Sequence, residues 1–289
     1  MRYTVEALDV FRHRLAISFD ADEVDAAFAR TYAQCAYRYA FEGYAAGQAP
    51  REVIDAAFGN QAIEHLTGKT LREESLGRAI GEADLVAIGE PTYIDPTLPQ
   101  PGQAYSFTAE LDCSPLFELS SYEPITIRLP KLDSLNPTLA RSAQHMRENE
   151  ALFQLQQRLQ GEPPEIMCDA QEEELMQAMY AQAHAANLPF ESYLVQQRID
   201  PTHFRKEIEE QALDAVRRNL ALDAWAAHKG FSASDEEISQ GFAASGLDYP
   251  AYEEAEWRAT GRISQVRQNI RRGAAMKDIM QTLVVEEIE

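Results

Sequence analysis

The sequence predicts an α+β N-terminal domain over residues 1–130, strands with helices inserted between them, followed by an all-α domain of long helical hairpins over residues 131–289. Three observations carry this. Apolar and polar residues alternate near the N-terminus and again between residues 85 and 129. Helical spacing fills the stretch between, and from about Pro137 onward only helical spacing remains. A chain of 289 residues is long enough for two domains of ordinary size.

Residues 3–19 read as a strand pair, because Phe11, His13, Leu15, Ile17 and Phe19 share one face while Arg12, Arg14 and Ser18 share the other. Asp20 or Asp22 supplies an N-cap, and Val24, Ala27, Phe28, Thr31, Tyr32, Cys35 and Tyr39 follow at helical spacing up to Gly43. Pro50 opens a helix that Gly59 closes, and a longer helix runs from Gln61 to about Glu82. Strands are expected at Leu85–Gly89, Tyr105–Leu111 and Ile125–Leu129, with the proline-rich stretch 91–103 as a loop.

In the second half the expected helices cover 138–160, 164–187, 189–198, 201–229, 235–244 and 250–286, the last with a break near Gly261 or Gly273. Gly161, Asn187 and Gly230 are stop signals. Asp200 before Pro201, and Ser234 with Glu237 three residues on, are start signals. No strand pattern is visible there. Helices this long suggest extended hairpins, with relative motion of the two domains about residues 130–138.

Composition excludes several classes. Hydrophobic residues at 45% and charged residues at 25% match folded proteins, so disorder is not expected. No apolar run approaches a membrane span or an export signal, and the expected location is the cytoplasm. Three scattered cysteines, Cys35, Cys113 and Cys168, give neither a disulfide framework nor a metal spacing. A net charge of −21 opposes direct DNA binding. The basic cluster Arg267, Arg271 and Arg272 and the acidic run Glu172–Glu174 both read as solvated helix faces. The six histidines are scattered, and no phosphate loop, nucleophile elbow or Cys-x-x-Cys occurs. No enzyme activity, cofactor or metal is expected.

The segment Gly43, Tyr44, Ala45, Ala46, Gly47, Gln48, Ala49 and Pro50 resembles the ribosome-docking loop of the trigger factor family, whose frame is Gly-Phe-Arg-x-Gly-x-x-Pro. The order of elements around it is similar too, including Gly89-Glu90-Pro91-Thr92-Tyr93, the stretch from Phe117 to Ile127, the turn Gly161–Ile166, the long helix Phe204–Ala227 and the start Ser234–Ile238. The resemblance covers nearly the whole chain and implies an elongated chaperone that binds unfolded or nascent polypeptides in a helical cradle without ATP, forming a weak homodimer off the ribosome.

Two departures qualify it. Only some ten residues separate Leu129 from Leu139, where the full-length family inserts a prolyl isomerase domain. In the loop, Ala45 and Gln48 replace the family's arginine and lysine, and residues 1–130 carry 10 basic against 20 acidic side chains. Contact with the ribosome is therefore expected to be weak or absent. A client-binding wall needs adaptable sulfur and aromatic side chains. The candidates are Met176, Met179, Tyr180, Phe190, Tyr193, Trp225, Phe242, Tyr252, Trp257, Met276 and Met280. An acidic rim around that wall would favour basic or neutral clients. The alternative reading is a dedicated assembly or adaptor protein with one partner.

Overall fold

The computed structural model describes residues 1–94, 96–130 and 137–288. Residues group into two compact units, one of Met1–Ser114 with Ser239–Val266 and the other of Pro115–Ile238 with Arg267–Glu289. The expected boundary and hinge near residues 131–136 lie outside the described residues.

The first unit is built on a four-stranded antiparallel sheet. Its strands are β1 (Arg2–Ala7), β2 (Arg12–Phe19), β3 (Ala87–Ile94) and β4 (Tyr105–Cys113), in the order β1-β2-β4-β3. The register pairs Leu15 with Ala109 and Ile17 with Phe107, so the alternation read from sequence places Leu15, Ile17, Phe107, Ala109 and Leu111 on one buried face. Helices α1 (Ala21–Arg38), α2 (Arg51–Phe58) and α3 (Asn60–Glu82) supply Val24, Phe28, Ile54, Ile63, Leu71 and Leu76 to the same core.

Asp20 caps α1 through a reciprocal pair of bonds with Glu23, and the Met1 ammonium donates to the same Glu23 carboxylate. Those donors hold the Glu23 carboxyl below its ordinary value, the ammonium more than the Asp20 amide. Between α1 and α3 the Thr67 hydroxyl donates to Thr31 Oγ1 at 3.0 Å, and Thr31 donates to the Ala27 carbonyl, so both buried hydroxyls are satisfied.

Two expectations for this half change. The strand through Ala87 runs on to Ile94, so residues 91–94 are not loop. Pro91 is tolerated because β3 is an edge strand with a register shift between Ile88 and Thr92. The strand β6 (Thr126–Pro130), expected in the N-terminal domain, instead pairs in parallel with β8 (Val284–Ile288) in the second unit. A two-residue β5 (Glu118–Leu119) pairs antiparallel with β7 (Leu159–Gln160), also in the second unit. The second half thus carries strands where none was predicted, and its final helix stops at Thr282.

The helices of the second half are α4 (Pro137–Gln156), α5 (Glu165–Ala185), α6 (Phe190–Gln196), α7 (Pro201–Lys229), α8 (Asp235–Ala244), α9 (Pro250–Ala259) and α10 (Ile263–Thr282). The expected stops at Asn187 and Gly230 are found. Each adopts positive φ, and the next residue but one from the cap bonds back, Leu188 to Ala183 and Phe231 to Ala226. The break falls at Gly261, whose φ is +77°.

The second unit's core gathers Leu119, Ile125, Ile127, Leu155, Trp225 and Ile279. Inside it the Asp223 carboxylate accepts two bonds from Arg272 at 2.7 Å and one from Gln268 at 2.9 Å. Arg272 is therefore committed to a buried partner and does not belong to the solvated face predicted for the basic cluster. Burial pushes the Asp223 carboxyl above its ordinary value, opposed by the Arg272 fork.

In the first unit, α8 and α9 meet through Phe242 and Trp257, whose rings cross at 5.7 Å. The end of α9 lies against α3 at Gly77. A Cβ there would stand 2.5 Å from the Ala259 carbonyl oxygen, and only glycine permits that approach.

Candidate functional site

The glycine-framed loop begins earlier than the apolar spacing implies. Helix α1 ends at Arg38, Tyr39 is extended, and the chain turns at Gly43 and Gly47, with φ of 82° and 83°. The Gly47 amide donates to the Ala36 carbonyl at 2.8 Å, which ties the loop back to the last turn of α1. Phe41 and Ala49 anchor the two ends against the core, and the Pro50 carbonyl accepts the amides of Val53 and Ile54 at the start of α2. Between these anchors, residues 43–48 are exposed.

Aromatic rings surround the loop. Tyr37 is 77% exposed and lies 3.9 Å from where a Gly47 Cβ would be, while Tyr39, Tyr44 and Phe58 are also exposed. Tyr39 and Phe58 meet edge to face at 4.9 Å. No cation lies between Gly43 and Pro50. Of the flanking cations Arg38 and Arg51, Arg51 stacks over the Tyr32 ring at 4.9 Å, and the Tyr32 hydroxyl donates to Asp55 at 2.6 Å. Burial, and then Asp55, push that phenol up to about 12, so it stays protonated. The loop can offer apolar and amide contacts but little positive charge. The ring of exposed tyrosines was not singled out from sequence; three aromatics within residues 37–41 were the available signal.

The eleven wall candidates are divided between the two units, eight in the second and three in the first. Met176, Met179 and Phe190 surround a small cluster of Leu194, Phe204 and Ile208 formed by α5, α6 and α7. Phe190 contacts Tyr180 at 4.3 Å and Phe204 at 5.6 Å. Tyr180 remains 50% exposed. Tyr193 is buried beside them and donates its hydroxyl to Gln182 at 2.8 Å, so it supports the cluster without lining a surface.

Met276 and Met280 are partly buried against the main helical core. Trp225, at 1% exposure, is at the centre of that core and not on a wall. Its indole N–H donates to Asp278 at 2.9 Å because a buried N–H must find a partner. Phe242 is also buried, packed on the half-buried Trp257. With the exposed Tyr252 it belongs to the first unit, not to the α5–α7 cluster.

Among the described residues, no three His, Cys, Asp or Glu side chains lie close enough to hold a metal ion, and no helix is long and apolar enough to cross a membrane. The three thiols are free. Burial pushes Cys113 up to about 12 and raises Cys35 and Cys168 as well, which leaves them poor nucleophiles.

The fold is a small α+β unit and a predominantly helical unit that carries two short strand pairs. A solved structure of the trigger factor chaperone, studied for promiscuous substrate recognition in folding and assembly activities, superposes with a TM-score of 0.52. The superposition spans 97% of this chain and 99% of that one at 14% identity.

Residues 1–137 match the family model of the bacterial trigger factor protein, and residues 134–287 match that of its C-terminus. The chain belongs to the trigger factor family. A trigger factor from Corynebacterium aurimucosum is 31% identical over 134 residues, 46% of this chain and 30% of the relative. That from Thermobifida fusca is 31% identical over 44% of this chain and 27% of the relative. That from Actinobacillus pleuropneumoniae is 27% identical over 53% and 35%. The chain thus spans about a third of the length of the curated relatives it matches.

Proposed function

We propose that this chain is an ATP-independent holdase that binds unfolded or nascent polypeptides on its helical unit, without prolyl isomerase activity and with ribosome docking weakened or lost. The observation that carries the reading is the α5–α7 cluster. Met176, Met179 and Phe190 are only partly buried, Tyr180 and Val195 stand exposed, and the cluster is separate from the main core. Unbranched sulfur side chains beside exposed rings repack against different apolar segments and release them without an energy source.

Two further observations support the rest. The matched N-terminal and C-terminal family segments overlap at residues 134–137, which leaves no stretch between them for an isomerase domain. The loop has the family's glycine frame with Ala45 and Gln48 in place of its cations, in a chain of net charge −21. Such a surface repels ribosomal RNA. The protein acts in the cytoplasm, needs no cofactor, binds neither DNA nor membrane, and forms a weak homodimer.

The test is suppression of aggregation of a diluted, unfolded model protein without nucleotide, with ribosome co-sedimentation on the same preparation. Suppression without sedimentation is expected. Suppression with sedimentation would show that the loop cations are dispensable. Absence of suppression would favour an adaptor serving one partner, for which the exposed tyrosines around the loop are the natural contact.

A further inference from the structure

We infer that the open edge of β1 joins two copies of this chain, β1 of one pairing antiparallel with β1 of the other, so that two four-stranded sheets become one of eight. This rests on the homodimer of the proposed reading and gives it an interface. β1 is an edge strand, with β2 on one side only. The Leu8 amide donates to the Arg12 carbonyl and the Cys113 amide to the Phe11 carbonyl, so along β2 the even residues bond to β1 and the odd ones to β4. The register sets Arg2, Thr4 and Glu6 opposite Ser18, Ala16 and Arg14. Those three therefore turn their N–H and C=O groups toward β2, and Tyr3, Val5 and Ala7 turn theirs to the open side. Val5 is 39% exposed there. The strand holds its register from Arg2 to Ala7 and contains no proline, so the edge is a template for a further strand.

Charge identifies the occupant as the same strand. A two-fold axis at Thr4 sets Arg2 of each copy opposite Glu6 of the other, and it brings Tyr3 and Val5 together through their open-side amides and carbonyls. This pairing extends a ladder already present on the face of the sheet opposite the core. Glu110 on β4 meets Arg14 on β2 at 2.6 Å, and Arg14 meets the largely exposed Glu6 on β1 at 3.4 Å. Across three strands the signs run negative, positive, negative, and the added strand supplies the next positive charge. Moving the axis to Tyr3 or Val5 keeps the hydrogen bonds but brings neither charge opposite its counterpart. Parallel pairing in register sets like charge on like. The net charge of −21 repels a second copy and keeps the association weak, whereas the strip that meets, one arginine and one glutamate in each β1, is neutral.

The experiment is sedimentation velocity of the full chain over a concentration series. The variants are Arg2→Glu and Glu6→Arg, each of which sets like charges together on both sides of the axis, and Val5→Pro, which removes an amide that β2 does not use. All three positions are exposed, and retention of the fold is checked by thermal unfolding. Each charge variant alone should dimerise at least about tenfold more weakly than the parent. An equimolar mixture of the two should recover the parental affinity, because each β1 then meets its complement, a recovery that a folding defect cannot mimic. Val5→Pro should abolish the dimer. In the parent, hydrogen exchange at the Tyr3, Val5 and Ala7 amides should slow as concentration rises, while Thr4 and Glu6 stay unchanged.

If the parent dimerises and all three variants dimerise like it, the contact lies elsewhere, so the edge pairing falls and the homodimer stands. If the charge variants weaken the dimer but their mixture does not recover it, the two-fold pairing at Thr4 is overturned. If the parent is monomeric at every concentration, both the pairing and the homodimer fall, and suppression of aggregation still judges the holdase reading by itself. A monomeric parent whose suppression of aggregation is lowered by Val5→Pro would assign the edge to a client strand and overturn the proposal.

Discussion

Replacing Gly77 by alanine sets two effects of known size against each other. In a helix interior alanine is favoured over glycine by about 1 kcal/mol. At Gly77, however, the new Cβ would stand 2.5 Å from the Ala259 carbonyl oxygen and 2.8 and 2.9 Å from the Thr260 carbonyl carbon and Cα. All three are backbone atoms, so no rotamer relieves the clash and α9 must move. Overpacking costs about 1–3 kcal/mol where side chains can yield, and a backbone contact belongs at the top of that range. Gly77→Ala should therefore destabilise the first unit by about 2 kcal/mol.

Gly81, one turn on in the same helix, is the control. Its added Cβ would meet Ile263 Cγ2 at an ordinary 3.5 Å, so Gly81→Ala should stabilise by about 0.5–1 kcal/mol. The assay is urea unfolding followed by tryptophan fluorescence. The chain has two tryptophans, and Trp225→Phe leaves Trp257 in α9 as the sole reporter on the first unit. If Gly77→Ala is stabilised as much as Gly81→Ala, the close approach of α9 to α3 is refuted.

Other outcomes follow from the same contacts. Asp223→Ala leaves the Arg272 guanidinium buried without its partner and should cost about 3–5 kcal/mol in urea unfolding, whereas Asp223→Leu with Arg272→Met should come out near neutral. Glu23 has its folded pKa depressed. Its contribution is complete above the unfolded carboxylate value and is lost as pH falls through the lower folded value, so Glu23→Gln should flatten the acid limb of the stability profile of the first unit. Restoring cations to the loop with Ala45→Arg and Gln48→Lys should raise ribosome co-sedimentation in a salt-sensitive way without changing thermal stability, since both positions are exposed.

Local patterns were readable where their cause was local. Period-two alternation located β2 and β4, Asp20 (one of two candidate caps, with Asp22) and Ser234 marked helix starts, and Asn187, Gly230 and Gly261 (one of two candidate breaks, with Gly273) marked stops, because caps and positive φ depend on a few neighbouring residues, whereas α4 ends at Gln156, before the stop expected at Gly161. Strand partners were not. Ile127 faces Val285 across a separation that no periodicity encodes, and the Val284–Ile288 run follows a helix closely enough to be read as its continuation.

Wall and core residues were likewise indistinguishable by type, since Trp225 and Tyr252 both fit helical spacing. The distinguishing signal lay in the surroundings. Trp225 sits in a stretch, Leu220–Ala226, that is buried all round and nearly all apolar, as a central helix requires. Tyr252 sits in a segment without a single cation. The glycine frame of the loop was legible, while its ring of exposed tyrosines was not, because exposure depends on what the fold leaves uncovered.

The parallel pairing of β6 with β8 has a consequence for synthesis. Arg128 and Glu286, joined by an ion pair across these strands, are 158 residues apart, and α10 supplies Ala275 and Ile279 to the same core. Closing so long a loop is entropically slow, and on the ribosome it cannot begin until residue 288 has emerged. From their own synthesis until the end of translation Ile125 and Ile127, joined late by Trp225, are left without these partners, on a chain whose first 114 residues already contain a complete sheet. A nascent copy of this protein is thus, for that interval, a half-folded chain with an open apolar seam, of the same kind that the proposed holdase would shelter.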